Sequence, residues 1–279
     1  YIDEFKWTKA LVSSAYKGNL VQVEAVSSPL TSADLAKTFT RKARELFLNF
    51  QMPSTKFNAW AKVGGSGRPI TTWTDPEDIV LLIRNDVRAY MDVEVLANAF
   101  QIDRAVLLGN IYPVDSFDVY DDEGTKIFDG SNIVGMIADK SWFRIRRQDM
   151  FMDSFYNANN RSIQYYLNNI KMYNMSLFAN GVIIATSAPT VATTKIEFVE
   201  AAAAATCAEG AKKKLHITTT PFQANDTITF TSGTVGKATV EKVDNRTVEV
   251  TGVDAGTSVI TATNGTVSAT ITFTVTAAA

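Results

Sequence analysis

Apolar residues recur at helical spacing twice near the start of the chain. Over residues 3–16, Phe5, Val12 and Tyr16 fall near one face, and Lys17-Gly18-Asn19 supplies a stop. Residues 20–26 (LVQVEAV) then alternate apolar and polar positions, as a half-buried strand does. The second helical pattern is the clearest. Thr31-Ser32-Ala33-Asp34 fits a capping box, in which the Thr31 hydroxyl and the Asp34 carboxylate each satisfy an unpaired N–H. Leu35, Phe39, Ala43, Leu46, Phe47 and Phe50 follow on one stripe, with Lys37, Arg41, Lys42, Arg44 and Glu45 mostly off it, and Pro53 ends the run. Residues 78–83 (DIVLLI) form a continuous apolar run of strand length, the mark of a strand buried on both faces. Asp92 is placed to cap a short helix over 93–100, and residues 111–119, 133–138 and 142–145 read as short strands between Asp/Gly turns. The segment 161–185 reads mainly as strand, with a helix over 162–178 as the alternative. Helices and strands mix without a regular βα beat, which predicts an α+β class rather than a doubly wound sheet or a TIM barrel.

Past about residue 190 the pattern becomes strand throughout. Residues 228–231, 247–251, 258–262 and 269–275 alternate, and Gly233, Gly236, Asp244-Asn245, Gly252, Asp254-Ala255-Gly256 and Asn264-Gly265 punctuate them. Asn264-Gly265 between alternating runs predicts a hairpin with a two-residue turn. Ala201 to Ala205 has high helix propensity but is too short to hold a helix by itself. Composition changes at the same place. All four Trp and all nine Tyr precede Ser187-Ala188-Pro189-Thr190, and the last 89 residues hold 21 Thr and only four aromatics, Phe198, Phe222, Phe230 and Phe273. Two domains are therefore expected, an α+β unit over 1–190 and a small β-sandwich over 191–279.

Charge and cysteine content narrow the function classes. The 279 residues carry 27 Lys+Arg against 29 Asp+Glu, a net charge of -2, which argues against affinity built on neutralising nucleic-acid phosphates. Charge is balanced in both parts, with 20 basic and 21 acidic residues up to 190 and 7 and 8 after it. The single cysteine, Cys207, closes no intrachain disulfide and is no zinc site alone. No stretch approaches 18 consecutive apolar residues, so no transmembrane helix is expected. The first residues, Tyr1-Ile2-Asp3-Glu4-Phe5, carry no initiator Met and no leader pattern and look like a helix already under way. A fragment with its upstream part missing and a cleaved leader both fit.

Four stretches carry residue types that chemistry uses. His216, in Lys212-Lys213-Lys214-Leu215-His216, is the one histidine and lies nine residues from Cys207; nucleophilic catalysis needs a histidine in a formed pocket oriented by an acid, so a surface or rim histidine is the expectation. Gly64-Gly65-Ser66-Gly67-Arg68 has the glycine of a phosphate loop without its Gly-Lys-Ser/Thr ending, and Pro69 interrupts any helix that would hold the anion. Asp118, Asp121, Asp122, Glu123 and Asp129 cluster around Gly124 and Gly130 without the spacing of an EF-hand, and a solvated hairpin tip is expected. Trp142-Phe143-Arg144-Ile145-Arg146-Arg147 interleaves aromatics and arginines. On a strand, Trp142, Arg144 and Arg146 would share one face and Phe143 and Ile145 the other, the arginines meeting acidic groups of the same or a neighbouring subunit rather than nucleic acid. None makes a reaction centre. No catalytic, cofactor-binding or metal-ligating residue is assigned, and the chain is expected to work by contact, not as an enzyme.

Several stretches resemble the major capsid protein of small tailed phages of the phi-twenty-nine-like podophage type, a family with the Hong Kong 97 capsid fold. They are residues 78–83, continuing through 91–100 to Leu108-Gly109-Asn110; Ile137-Ala138-Asp139-Lys140-Ser141-Trp142-Phe143; and the Tyr-rich segment ending Ser176-Leu177-Phe178-Ala179-Asn180. After 190, Gly236-Lys237-Ala238-Thr239-Val240, residues 248–253 and residues 255–263 resemble a bacterial immunoglobulin-like group 2 (BIG2) domain, and the order of the two parts repeats that of the phi-twenty-nine-like protein. The resemblance implies a partial Hong Kong 97-type core followed by a small all-β immunoglobulin-like sandwich, in a chain that starts past the family's N-terminal arm and extended loop. It does not identify the lysine and asparagine that cross-link shells in some relatives.

It also implies a function: the major capsid subunit of a tailed bacteriophage, self-assembling through pentamers and hexamers into an icosahedral shell around DNA. Residues 31–50 would be the spine of a wedge-shaped tile. Implied partners are copies of itself, with scaffold and portal proteins and a host cell-surface glycan for the immunoglobulin-like domain. No cofactor, membrane or specific nucleic-acid contact is implied. The implied location is the virion, assembled in the bacterial host cytoplasm. The alternative is a bacterial surface or secreted adhesion protein that binds glycan through the immunoglobulin-like domain.

Overall fold

The computed structural model describes residues 2–26, 31–64, 67–91, 110–121, 123–147, 151–157, 161–168 and 171–277. The chain is a mixture of helix and sheet, with strand predominating, and it divides into two compact units. One comprises Tyr1–Tyr16 with Val21–Ala188, the other Lys17–Leu20 with Pro189–Ala279. The expected helix over 93–100, capped by Asp92, lies outside the described residues.

The first unit is built on a mixed five-stranded sheet. In chain order it contains α1 (Ile2–Lys17), β1 (Gln22–Ala25), α2 (Ser32–Phe50), α3 (Trp60–Val63), β2 (Ile79–Arg84), α4 (Asn85–Arg88), β3 (Ile111–Val114), β4 (Val119–Tyr120), β5 (Lys126–Phe128), β6 (Ile133–Asp139), β7 (Phe143–Arg147), β8 (Phe151–Asn157), β9 (Ser162–Asn168), β10 (Lys171–Met175) and β11 (Gly181–Ala185). The sheet order is β1-β11-β6-β2-β3. The outer pairs β1–β11 and β2–β3 are parallel, and β6 runs antiparallel to both β11 and β2. The apolar run at 78–83 becomes a central strand with Ile79, Val80, Leu81, Leu82 and Ile83 all buried, as a strand covered on both faces requires.

The expected stripe of α2 covers one face of that sheet. Leu35, Ala36, Phe39, Ala43, Leu46, Phe47 and Phe50 are buried, in one cluster with Leu81, Ile83, Val134, Ile137, Val182 and Ile184. Each fully buried side chain of this kind contributes about 1.5–3 kcal/mol of transfer free energy. Gly135 lets the helix approach, because a Cβ there would lie 2.4 Å from the Leu82 carbonyl oxygen and 2.6 Å from the Phe39 ring. The N-cap differs in one detail from the capping box read from the sequence. Thr31 accepts from the Asp34 N–H at 3.2 Å, but the Asp34 carboxylate accepts from the Thr31 hydroxyl at 2.8 Å instead of reaching back to a backbone N–H. α1 buries Val12, Ala15 and Tyr16, and Ser13 Oγ donates to the Phe117 carbonyl at 2.7 Å.

The second unit is two four-stranded sheets. Its strands are β12 (Lys195–Phe198), β13 (Thr206–Ala208), β14 (Lys212–Thr220), β15 (Thr229–Ser232), β16 (Ala238–Lys242), β17 (Thr247–Gly252), β18 (Gly256–Thr263) and β19 (Ser268–Thr276). One sheet has the order β12-β14-β17-β16 and the other β13-β19-β18-β15. Inward positions of both sheets, Leu215, Val248, Val250, Ile260, Ile271, Phe273 and Val275, share one apolar cluster, while the threonines between them stay wetter. The β18–β19 hairpin forms where Asn264-Gly265 predicts one, with Gly265 at φ +91, but Thr263 pairs with Ser268, so four residues connect the strands, not two. The Asn264 Oδ1 atom accepts from the N–H groups of Thr266 (2.9 Å) and Val267 (2.8 Å), which widens the turn. Ala202–Ala204 form a single 3-10 turn.

Candidate functional site

The described residues of 161–185 form three strands, and among them the helical alternative over 162–178 does not occur. Its first two strands belong to two ribbons outside the main sheet. β7 pairs antiparallel with β10, and β8 with β9. Trp142 is not on β7 as the alternation argument expects. Asp139 Oδ1 accepts from the Ser141 N–H at 2.7 Å and caps a 3-10 turn over Lys140–Trp142, which turns the indole inward. There it is fully buried, edge-on to Phe143 at 4.7 Å, and a Cβ on Gly181 would meet its ring at 2.8 Å.

The ribbon that follows is wet on the face where Arg144 and Arg146 lie. Register puts Arg144 opposite Asn174 and Arg146 opposite Met172, and all four are exposed. Ile145 and Tyr173 oppose each other on the alternate face, where Trp7 stacks on Tyr173 at 5.5 Å. Further along, the directly opposed pair Tyr156 and Ile163 is exposed as well. A lone two-stranded ribbon is marginal in water unless it packs against other elements.

The acidic stretch forms the hairpin the sequence suggests, with β4 and β5 joined across Gly124 at φ +84. Its carboxylates face backbone N–H groups and one lysine. Asp118 accepts from Gly130 N at 2.8 Å and pairs with Lys126 at 3.1 Å; Asp121 accepts from Thr125 N at 2.6 Å; Asp129 accepts from Ser131 N at 3.1 Å. The Ser131 N–H holds the Asp129 carboxyl below its ordinary range, and the Asp118 carboxylate raises the Lys126 ammonium above its own. Asp122 lies outside the described residues.

The glycine loop folds back on an aromatic ring. Gly64 ends α3, Gly67 N donates to the Gly64 carbonyl at 3.0 Å, and Trp60 Nε1 donates to the Arg68 carbonyl at 3.2 Å. Those backbone groups serve the turn itself. Gly65 and Ser66 lie outside the described residues. His216 sits exposed on β14, its Nδ1 2.7 Å from Glu200 Oε1, while its backbone N–H donates to the same carboxylate at 2.9 Å. Burial opposes ionisation of Glu200, but these two bonds outweigh it and lower its pKa. Cys207 is on β13, in the other sheet, with its thiol directed to the Ala211 carbonyl at 3.5 Å. The acid beside the histidine is thus Glu200, and the cysteine belongs to the apolar cluster. Among the described residues no group of three or more His, Cys, Asp and Glu is placed to hold a metal ion, and no helix is long and apolar enough to cross a membrane.

One feature of the first unit had no signal in the hydrophobic pattern. Asn58, Thr72, Thr74 and Asn180 form a linked polar network beside the main sheet. Asn58 Nδ2 donates to Ile70 O (2.8 Å) and Thr72 Oγ1 (3.1 Å), Thr72 Oγ1 to Asn180 Oδ1 (2.7 Å), and Asn180 Nδ2 to Thr74 Oγ1 (3.0 Å). Asn58, Thr74 and Asn180 are buried, and the network ties the loop after α2 to the start of β11.

Comparison with known proteins bears on the first unit. The profile of the family described as "Phi29-like phage major capsid protein" matches residues 1–185. A major capsid protein of Bacillus phage B103 is 28% identical over 197 residues, 70% of this chain and 40% of that protein. One of Bacillus phage GA-1 is 28% identical over 190 residues, 67% of this chain and 36% of that protein. The chain therefore spans about two fifths of the length of these relatives. Among solved structures, the capsid of Staphylococcus phage Andhra aligns with TM-score 0.50 at 18% identity, over 67% of this chain and 60% of that one, a likeness of fold.

Proposed function

The chain belongs to the Phi29-like phage major capsid protein family, and from that premise we propose that it is the core of a head subunit that self-associates into the icosahedral shell of a tailed bacteriophage. The family match over 1–185 carries this reading, and the curated relatives are structural capsid proteins, not enzymes. The mechanism is repeated heterologous contact between identical tiles, which closes into five- and six-membered rings and then into a shell. In this reading the first 190 residues are the tile, of Hong Kong 97 type. The five-stranded sheet with α2 across it is the stiff body, and the β7–β10 and β8–β9 ribbons are contact elements. The near-neutral charge suits a container for DNA, which has to release its contents.

The two-sheet unit after 190 is, in the same reading, an immunoglobulin-like domain of group 2 type. It sits on the outer surface, where it stiffens subunit contacts or touches a cell-surface glycan. Scaffold and portal proteins are further partners of the whole subunit, and assembly takes place in the host cytoplasm before the subunit resides in the virion. The alternative raised from the sequence, a surface or secreted adhesin, has no observation of its own beyond that sandwich. The test is electron microscopy and sedimentation of the full-length protein. Shells or large closed oligomers are expected, and a protein that stays monomeric at all concentrations would refute the head-subunit reading.

A further inference from the structure

Two surfaces of the first unit carry charge of opposite sign beside exposed apolar side chains. On ribbon β7–β10, Arg144 and Arg146 lie on the same exposed face as Met172, which is 55% exposed. Among the described residues neither arginine has an ion pair, so two guanidiniums share one exposed face, with Met172 opposite Arg146 on the neighbouring strand. On ribbon β4–β5 the converse holds. Asp118, Asp121, Glu123 and Asp129 share this hairpin with one basic residue, Lys126, which pairs with Asp118 and Asp129, and Tyr120 and Ile127 are exposed on it, Ile127 at 60%. Glu123 is exposed and has no partner among the described residues.

These surfaces match in two independent respects, sign of charge and an apolar centre. A solvent-exposed ion pair alone is worth little. A guanidinium–carboxylate pair gains once a neighbouring apolar contact excludes water from it, which is how a small patch becomes a specific one. Both surfaces lie in the same unit, and no hydrogen bond or ion pair joins them among the described residues; being different patches, their pairing between copies is a head-to-tail contact, the type that propagates into rings. We propose that the Arg144–Arg146 face of ribbon β7–β10 docks on the acidic β4–β5 ribbon of a second copy of this chain. This rests on the reading of the protein as a self-assembling head subunit and names where two subunits meet.

The experiment is charge reversal with rescue in the full-length protein, read by sedimentation velocity and electron microscopy. R144E/R146E and E123K/D129K, each alone, are expected to weaken subunit association about tenfold or more. Combined in one chain they are expected to restore it. Thermal melts check that each variant folds; if the reversal at 144 and 146 unfolds the chain, R144Q/R146Q replaces it and loses association at low salt first. Unimpaired shells from R144E/R146E, with wild type assembling normally, would overturn this contact while leaving the head-subunit reading intact. So would rescue of R144E/R146E by D75K/E77K, in a different acidic surface turn, in place of E123K/D129K. Loss of single-stranded DNA binding by R144E/R146E with assembly untouched would make the face a nucleic-acid surface and overturn the contact too. Wild-type protein that never self-associates would overturn both proposals together.

Discussion

Asn180 is the residue on which most of the polar joint in the first unit converges. Its amide accepts from Thr72 and donates to Thr74, and its own carbonyl accepts from Asp139 N at 2.9 Å at the end of β6. Truncation to alanine would take this partner from the buried Thr74 hydroxyl and from the half-buried Thr72 hydroxyl, which keeps Asn58 and Ser54, so Asn180→Ala is expected to lose about 1–3 kcal/mol in urea unfolding, against under 1 kcal/mol for an exposed residue such as Asn174. Glu200 gives a pH-dependent counterpart. Its folded pKa lies below the ordinary 4.5, so its contribution is complete above that value and fades as pH falls through the folded value. Glu200→Gln should therefore lower the melting temperature at pH 7, and the gap between wild type and variant should close below about pH 4.5. A gap of constant size down to pH 3 would mean that the His216 N–H is not its main partner. Residue chemistry of this sort was only partly legible beforehand. The rim position of His216 and the hairpin carrying Asp118 and Asp129 follow from local pattern, since lone polar residues in Thr- and Asp-rich stretches face water. The Asn58–Asn180 network does not follow, because its members are 122 residues apart and each looks like an ordinary loop residue until the chain is folded. Trp142 was misplaced because alternation cannot see the Asp139 cap that ends β6 and starts a turn.

At the scale of elements, helix α2 and strands β2 and β6 make one packed layer whose tolerance is set by backbone approach. Phe39 is fully buried at its centre, and Phe39→Ala is expected to cost about 3–5 kcal/mol, read from the denaturant midpoint. Gly135→Ala tests the same interface from the other side. The added methyl would press on the Leu82 carbonyl, which is backbone and cannot rotate away, so a loss of about 1–3 kcal/mol is expected where a helix–sheet gap would have tolerated the change. These elements were the most legible in the sequence. A stripe sustained over five turns and a five-residue apolar run between turn residues have few competing explanations. Short elements were not legible: α3 and α4 have four residues each, too few to show any period. Strands β9 and β10 were ambiguous because Tyr, Ile and Leu suit both helix and strand, and only pairing with β8 and β7 decides for strand.

At the scale of the molecule, the described apolar clusters each stay within one unit. The α2 cluster belongs to the first, and the clusters around Phe273 and Ile228 to the second. The compositional break near residue 190 is where this division falls, except that Lys17–Leu20 group with the second unit, an exchange no local pattern announces. Separate cores predict separate cooperative transitions. Asp226 offers a handle on the second. Its carboxylate accepts from the Thr193 N–H (3.0 Å) and hydroxyl and from Asn264 Nδ2 (2.7 Å), joining the entry to β12 with the β18–β19 turn. Burial opposes its ionisation, yet these donors prevail and hold its pKa below the ordinary range, so the bonds are made to the charged form present at pH 7. Asp226→Asn removes that charge and weakens the charge-assisted bonds from Thr193 and Asn264, at an expected cost of about 1–3 kcal/mol. In differential scanning calorimetry, Asp226→Asn should lower one transition and Phe39→Ala the other, each leaving its neighbour within a degree or two. A single transition moved by both substitutions would mean that the two units unfold as one, and that the tile proposed for shell assembly includes the sandwich in its rigid body.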